Sequence, residues 1–154
     1  VTPQGWSQLW LNEGFATAVG TQVVDELYPA MRHRLNGFLV DDMAAALDLD
    51  SLRSSHPIEV TVEGSQDVGQ LFDAISYLKG ATVLRMLFGW LGEDATRRGL
   101  KDYLGKHAYG NATTEDLWTC LSAASGMDVA REMDRWTKVV GFPRLDVSWN
   151  GATQ

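Results

Sequence analysis

Hydrophobic positions recur every three to four residues through most of this 154-residue chain, a spacing that predicts a succession of amphipathic helices. In residues 7 to about 27, Leu11, Phe15, Ala18, Val19 and Val23 make one face, with Asp25 and Glu26 toward the end. Pro29 opens a second helix at a position where its missing N–H is harmless. Met31, Leu35, Phe38, Leu39, Met43, Ala46 and Leu47 continue that face to about residue 48. The period lapses over residues 50–69. There Ser54-Ser55-His56-Pro57 punctuates the chain, and Ile58, Val60 and Val62 alternate as an extended segment would.

A third helix is predicted from about residue 70 to 91. Phe72, Ile75, Leu78, Val83, Leu84, Met86, Leu87 and Trp90 leave little of its circumference polar, and such a helix belongs in the middle of a protein. Gly92-Glu93-Asp94 ends it and starts a fourth to about residue 107, with its acids in the first turn where the helix dipole favours them. Thr113 and Asp116 fit a capping box that opens a helix to residue 125. Asp128 caps the last helix, which Gly141 and Pro143 stop. Leu145, Val147 and Trp149 then alternate with Asp146, Ser148 and Asn150, a strand signal. A strand without partners is marginal in water, so residues beyond about 143 are expected to fray.

The length suits one domain with a real core, and 45% hydrophobic residues with six tryptophans place it among globular proteins. A net charge of -7 argues against nucleic acid as a partner, because phosphate binding needs clustered Lys and Arg. The single cysteine, Cys120, forms no internal disulfide and lies on an apolar helix face, where a thiol serves as a small core residue. No apolar run is long enough to span a bilayer, and the default localisation is the cytoplasm.

The chemistry begins at Leu9-Trp10-Leu11-Asn12-Glu13-Gly14-Phe15-Ala16, which sets one carboxylate among residues that favour burial. Such a group is costly unless a cation or donor meets it, and a lone helix glutamate either reaches water along its stem or finds that partner. The run from Trp10 to Ala16 resembles the segment carrying the third zinc ligand in the M1 family of zinc aminopeptidases, the gluzincins, in their puromycin-sensitive and alanyl forms. Downstream, Phe72-Asp73-Ala74-Ile75-Ser76-Tyr77-Leu78-Lys79-Gly80 resembles that family's catalytic-tyrosine segment. The two motifs stand in the family's order, and the likeness runs from Val1-Thr2 through Gly141-Phe142-Pro143.

The resemblance implies a mainly α fold: residues 1–143 as the helical C-terminal half of a thermolysin-like catalytic domain, and residues 144–154 as the first strand of a following β-sandwich. It implies one Zn²⁺ per intact catalytic domain, with Glu13 as a metal ligand and Tyr77 stabilising the oxyanion. Phe72 would line the pocket for the substrate's first side chain. Periodicity alone reads Tyr77 and Phe72 equally as core residues. Five residues separate these two, about 140° on an ideal helix, so either the helix starts between them or the pocket wraps around its end.

The family's two zinc histidines come from a His-Glu-x-x-His helix, and none of His33, His56 and His107 lies in such a pattern. Both would fall ahead of Val1, so the chain reads as a piece of an aminopeptidase beginning just after that helix, its partner being the missing N-terminal part. The implied substrates are peptides with a free N-terminus. The alternative is a catalytically inactive fragment, or a helical interaction module that kept the scaffold and lost the zinc-binding histidines. His56 has no partner at ligand spacing and reads as structural. Asn12 and Asp73 lie near the motifs without an assigned role.

Overall fold

Among the described residues, six α-helices carry the fold of the computed structural model, which describes residues 1–31, 36–62 and 68–151. α1 (Leu9–Leu27) follows a 3₁₀ turn at Trp6–Gln8 and buries Trp10, Leu11, Gly14, Ala18 and Thr21, one stripe at helical spacing. α2 (Met43–Asp50) extends a π-helical turn at Phe38–Asp42. α3 (Gly80–Leu91) continues from a second π-helical turn at Ile75–Lys79. α4 (Glu93–Lys106), α5 (Thr114–Ser125) and α6 (Val129–Thr137) complete the set. The chain is mainly α, as the pattern predicts.

α3 is the central helix. Val83, Leu84 and Leu87 are buried against α1, while Met86 and Trp90 stay exposed, so it is not covered all round. Gly92, at φ +82°, supplies the reversal between α3 and α4, a conformation that glycine adopts without a Cβ clash. α4 packs closely on α5 where Gly99 faces Leu121: a Cβ on Gly99 would lie 2.7 Å from Leu121 Cδ2. Trp10 and Trp118 meet with ring centroids 6.3 Å apart and join α1 to α5 within one core, which also holds Cys120.

The capping box and the N-cap predicted from sequence are both present. Thr113 accepts from the Asp116 N–H, Asp116 accepts in return from the Thr113 N–H at 2.8 Å, and Asp128 accepts from the Arg131 N–H. The two short strands are β1 (Thr2–Pro3) and β2 (Asn111–Ala112), paired in parallel with Thr2 opposite Asn111. They tie the start of the chain to the entry of α5, where the Thr114 N–H also donates to Gln8 Oε1 at 2.6 Å.

Several expectations are corrected. The segment holding Ile58, Val60 and Val62 forms no strand; Ile58 is buried, and the Glu59 N–H donates to the Thr137 carbonyl at 2.8 Å instead of joining a ladder. Residues 145–149, where an unpartnered strand signal is expected to fray, form no strand, and Leu145, Val147 and Trp149 are exposed. The last helix ends at Thr137, before Gly141. The expected helix over 29–48 is a 3₁₀ turn at Pro29–Met31 and, further on, the Phe38–Asp42 turn leading into α2. His33, Leu35 and the Met31 side chain lie outside the described residues.

Candidate active site

α1 and α3 cross at two glycines. A Cβ on Gly14 would lie 2.9 Å from the Gly80 carbonyl carbon, and one on Gly80 would meet the Trp10 ring at 3.3 Å. Backbones touch there because neither residue has a side chain. Glu13 immediately precedes Gly14, and Tyr77 lies one turn before Gly80, so the close approach brings the two sequence-predicted residues together. α1 packs on the turn that carries Tyr77, and the Glu13 carboxylate lies near enough for its charge to act on the phenol. Partial burial, and then this carboxylate, push the phenol's pKa above its ordinary value, because both disfavour the phenolate. Both side chains remain partly open to solvent.

The expected single helix over 70–91 is broken here, and the break resolves the spacing problem between Phe72 and Tyr77. A 3₁₀ turn at Val68–Leu71 leads to a bend at Phe72 and Asp73, after which the π-helical turn begins. Asp73 Oδ1 accepts from the Ile75 and Ser76 N–H groups, both at 3.0 Å, and its carbonyl accepts from the Tyr77 N–H at 3.1 Å. Asp73 therefore caps the turn that carries Tyr77. The helix starts between the two residues: Phe72 lies outside it, 51% exposed, and is not a core residue.

Sequence reasoning left His56 without a partner and Asp73 without a role, yet His56 Nε2 donates to Asp73 Oδ2 at 2.7 Å. An aspartate two residues ahead of an apolar helical run is an N-cap signal that could have identified Asp73. Lys79, two residues after Tyr77, is buried and pairs with the equally buried Asp50 at 2.9 Å. Its sequence signal was a lysine inside an otherwise apolar stretch.

As a zinc ligand, Glu13 fits in part. It is a half-buried carboxylate, a donor type that catalytic zinc accepts. The chain does not supply a whole centre: no group of three or more His, Cys, Asp or Glu among the described residues could hold an ion. A cleft of about 1010 Å³ opens elsewhere, between α1, α3 and α4, lined by Val23, Glu26, Arg85 and Phe88 among others. Neither Glu13 nor Tyr77 lines it. No described helix is long and apolar enough to cross a membrane.

Comparison with known proteins agrees with the motifs. The model of the peptidase family M1 domain matches residues 1–136. The chain is 51% identical over 151 residues to "Aminopeptidase 2, mitochondrial" of Saccharomyces cerevisiae, covering 98% of this chain and 16% of that protein. It is 50% identical over 147 residues to the "Alanine/arginine aminopeptidase" of the same yeast, covering 96% and 17%. With the "Puromycin-sensitive aminopeptidase" of Caenorhabditis elegans it shares 43% over 148 residues, covering 96% and 16%. The chain thus spans about a sixth of the length of the curated relatives it matches. On the match across most of its residues and these identities, this chain belongs to peptidase family M1.

Proposed function

We propose that this chain is the part of a zinc aminopeptidase that supplies one metal ligand, Glu13, and one transition-state donor, Tyr77, to hydrolysis of the first peptide bond of a substrate with a free N-terminus. The observation that carries this reading is the Gly14–Gly80 crossing, which sets Glu13 of α1 beside the turn that carries Tyr77. A metal held by Glu13 would then sit beside a phenol. Bound zinc supplies Lewis-acid activation of water.

Tyr77 acts through its O–H. As water adds to a peptide carbonyl, negative charge develops on oxygen, and a fixed phenolic donor gains most at that moment. A phenol of ordinary pKa, about 10, holds its proton at neutral pH, which the role requires, and the upward shift is in the same direction. Phe72, half exposed at the bend before the turn, offers apolar surface for the side chain of the residue to be removed. In this reading residues 144–154 begin the following domain, whose strands would cover Leu145, Val147 and Trp149.

The test is a chimera in which this chain replaces the matching segment of the 51%-identical yeast relative. The chimera should load one zinc and hydrolyse an aminoacyl reporter substrate. Tyr77→Phe should lower kcat about a hundredfold or more, on the scale of losing one oxyanion donor, with a smaller change in KM. A folded, zinc-loaded chimera without activity, or a Tyr77→Phe variant with unchanged kcat, would overturn the reading.

A further inference from the structure

The turn that carries Tyr77 is held at both ends by charged groups, and both holds come from one short stretch of chain. At its start, Asp73 caps the turn through Oδ1 and receives His56 Nε2 on Oδ2 at 2.7 Å, while His56 Nδ1 turns to the Pro57 carbonyl at 2.7 Å. At its end, Lys79 Nζ meets Asp50 Oδ2 at 2.9 Å and donates to the Gly141 carbonyl at 3.1 Å. The other Asp50 oxygen accepts from the Gly141 N–H at 3.0 Å and from Ser55 Oγ at 3.2 Å. Asp50, Ser55 and His56 thus reach both ends of the five-residue turn Ile75–Lys79, with Tyr77 at its middle.

We propose that residues 50–57 form a positioning clamp for Tyr77, in which His56 acts through Asp73 and Asp50 acts through Lys79 to fix the rotation and depth of the tyrosine's turn. The proposal rests on Tyr77 being the transition-state donor. Packing of apolar side chains resists separation of two helices but opposes small rotations and slides weakly; short directional bonds at both ends oppose them. Burying an ion pair is poor value as stabilisation, because desolvating the two charges offsets much of their attraction, and its better-supported use is to fix a register. The turn is also π-helical, a widened form that is rare and recurs at functional sites. For a donor that must meet a developing charge, a displacement of about 1 Å costs on the order of a hundredfold in rate. Asp50, Lys79, His56 and Asp73 touch no reacting atom here. They are positioning residues.

The experiment is a double-mutant cycle in the zinc-loaded chimera described above. Lys79→Met alone leaves a buried carboxylate unpaired, so the paired Asp50→Asn/Lys79→Met variant and the milder His56→Gln accompany it. Each is made with Tyr77 intact and again with Tyr77→Phe, and zinc content verifies that each has folded. With Tyr77 intact, the variants should lower kcat about tenfold or more and change KM less than about threefold. In the Tyr77→Phe background the same substitutions should cost less than about twofold, since the group they position is gone. Losses of equal size in both backgrounds, or unchanged kcat with Tyr77 intact, would overturn the clamp. Failure of the underlying reading looks different: Tyr77→Phe alone would then keep full kcat. Amide exchange in the 154-residue chain gives a second readout, with the Ile75 and Ser76 N–H groups exchanging faster in His56→Gln; unchanged exchange there counts against the His56 arm of the clamp.

Discussion

Gly14 and Gly80 touch backbone to backbone, with space for no side chain between them: a Cβ on Gly14 would fall 2.9 Å from the Gly80 carbonyl carbon. This contact sets the distance between α1 and α3, and with it how closely Glu13 approaches the turn of Tyr77. Gly14→Ala should therefore push the helices apart. Overpacking costs about 1–3 kcal/mol, partly offset by the roughly 1 kcal/mol that alanine gains over glycine in a helix. Gly20 and Gly89 also lie in helices, but a Cβ on either meets nothing within 4 Å. Gly89→Ala should be neutral or stabilising by up to about 1 kcal/mol. Chemical denaturation of the two variants checks this, and equal stabilities would remove the close-approach explanation.

The phenol of Tyr77 provides a probe of its contact with Glu13. In the metal-free chain it should titrate above the ordinary tyrosine value of about 10, and Glu13→Gln should move it part of the way back while burial holds the remainder. NMR titration of ring-labelled tyrosine, assigned with Tyr77→Phe, makes the measurement. The sign for stability follows. A phenol whose folded pKa is raised contributes stability below the unfolded value of about 10, lost as pH rises through the folded value. An unshifted Tyr77 would show that the two groups do not meet in solution.

Metal binding should separate the roles of the two residues. The 154-residue chain offers Glu13 as one ligand of a larger set, so dialysed protein should retain no stoichiometric zinc by elemental analysis. One tightly held zinc per chain would reveal a different site. In the chimera, Glu13→Ala should loosen the metal, so that excess zinc restores part of the activity. Added zinc should do nothing for Tyr77→Phe.

Glu59 should make stability depend on pH in an unusual direction. Burial, and then the nearby Glu115 carboxylate, raise its pKa from 4.5. Across the window from 4.5 up to the raised value, the folded chain binds more protons at this site than the unfolded chain, so stability falls as pH rises. Glu59→Gln should abolish that contribution and leave stability at neutral pH unchanged or higher. If the variant is less stable at pH 7 than at pH 5 by the same margin as the parent, Glu59 is not its source.

Much of the helical framework was legible because its causes are local. The Thr113–Asp116 box and the Asp128 cap act over three residues, and each forms as its sequence predicts. The position of α1 follows from the spacing of Leu11, Phe15 and Ala18, although Val23 on the same predicted face is exposed. The helix break ahead of Tyr77 was less visible. Phe72 extends the apolar pattern backward, so periodicity joins what the Asp73 cap divides, and the half-exposed Phe72 ring is the result. Alternation at Ile58, Val60 and Val62 misled for a related reason: period two marks the faces of a strand only where a second strand supplies the ladder.

The sequence by itself determined the helical class, the caps and the two motifs that contain Glu13 and Tyr77, since each of these is written in neighbouring residues or in their repeat. Only the tertiary structure decided that Glu13 lies beside the turn of Tyr77, that Gly14 and Gly80 permit it, and that His56 and Asp50 reach Asp73 and Lys79. Those partners are far apart along the chain, and nothing local distinguishes a paired aspartate from a solvated one. Their pairing depends on which helix faces pack together and at what depth, a property of the whole core.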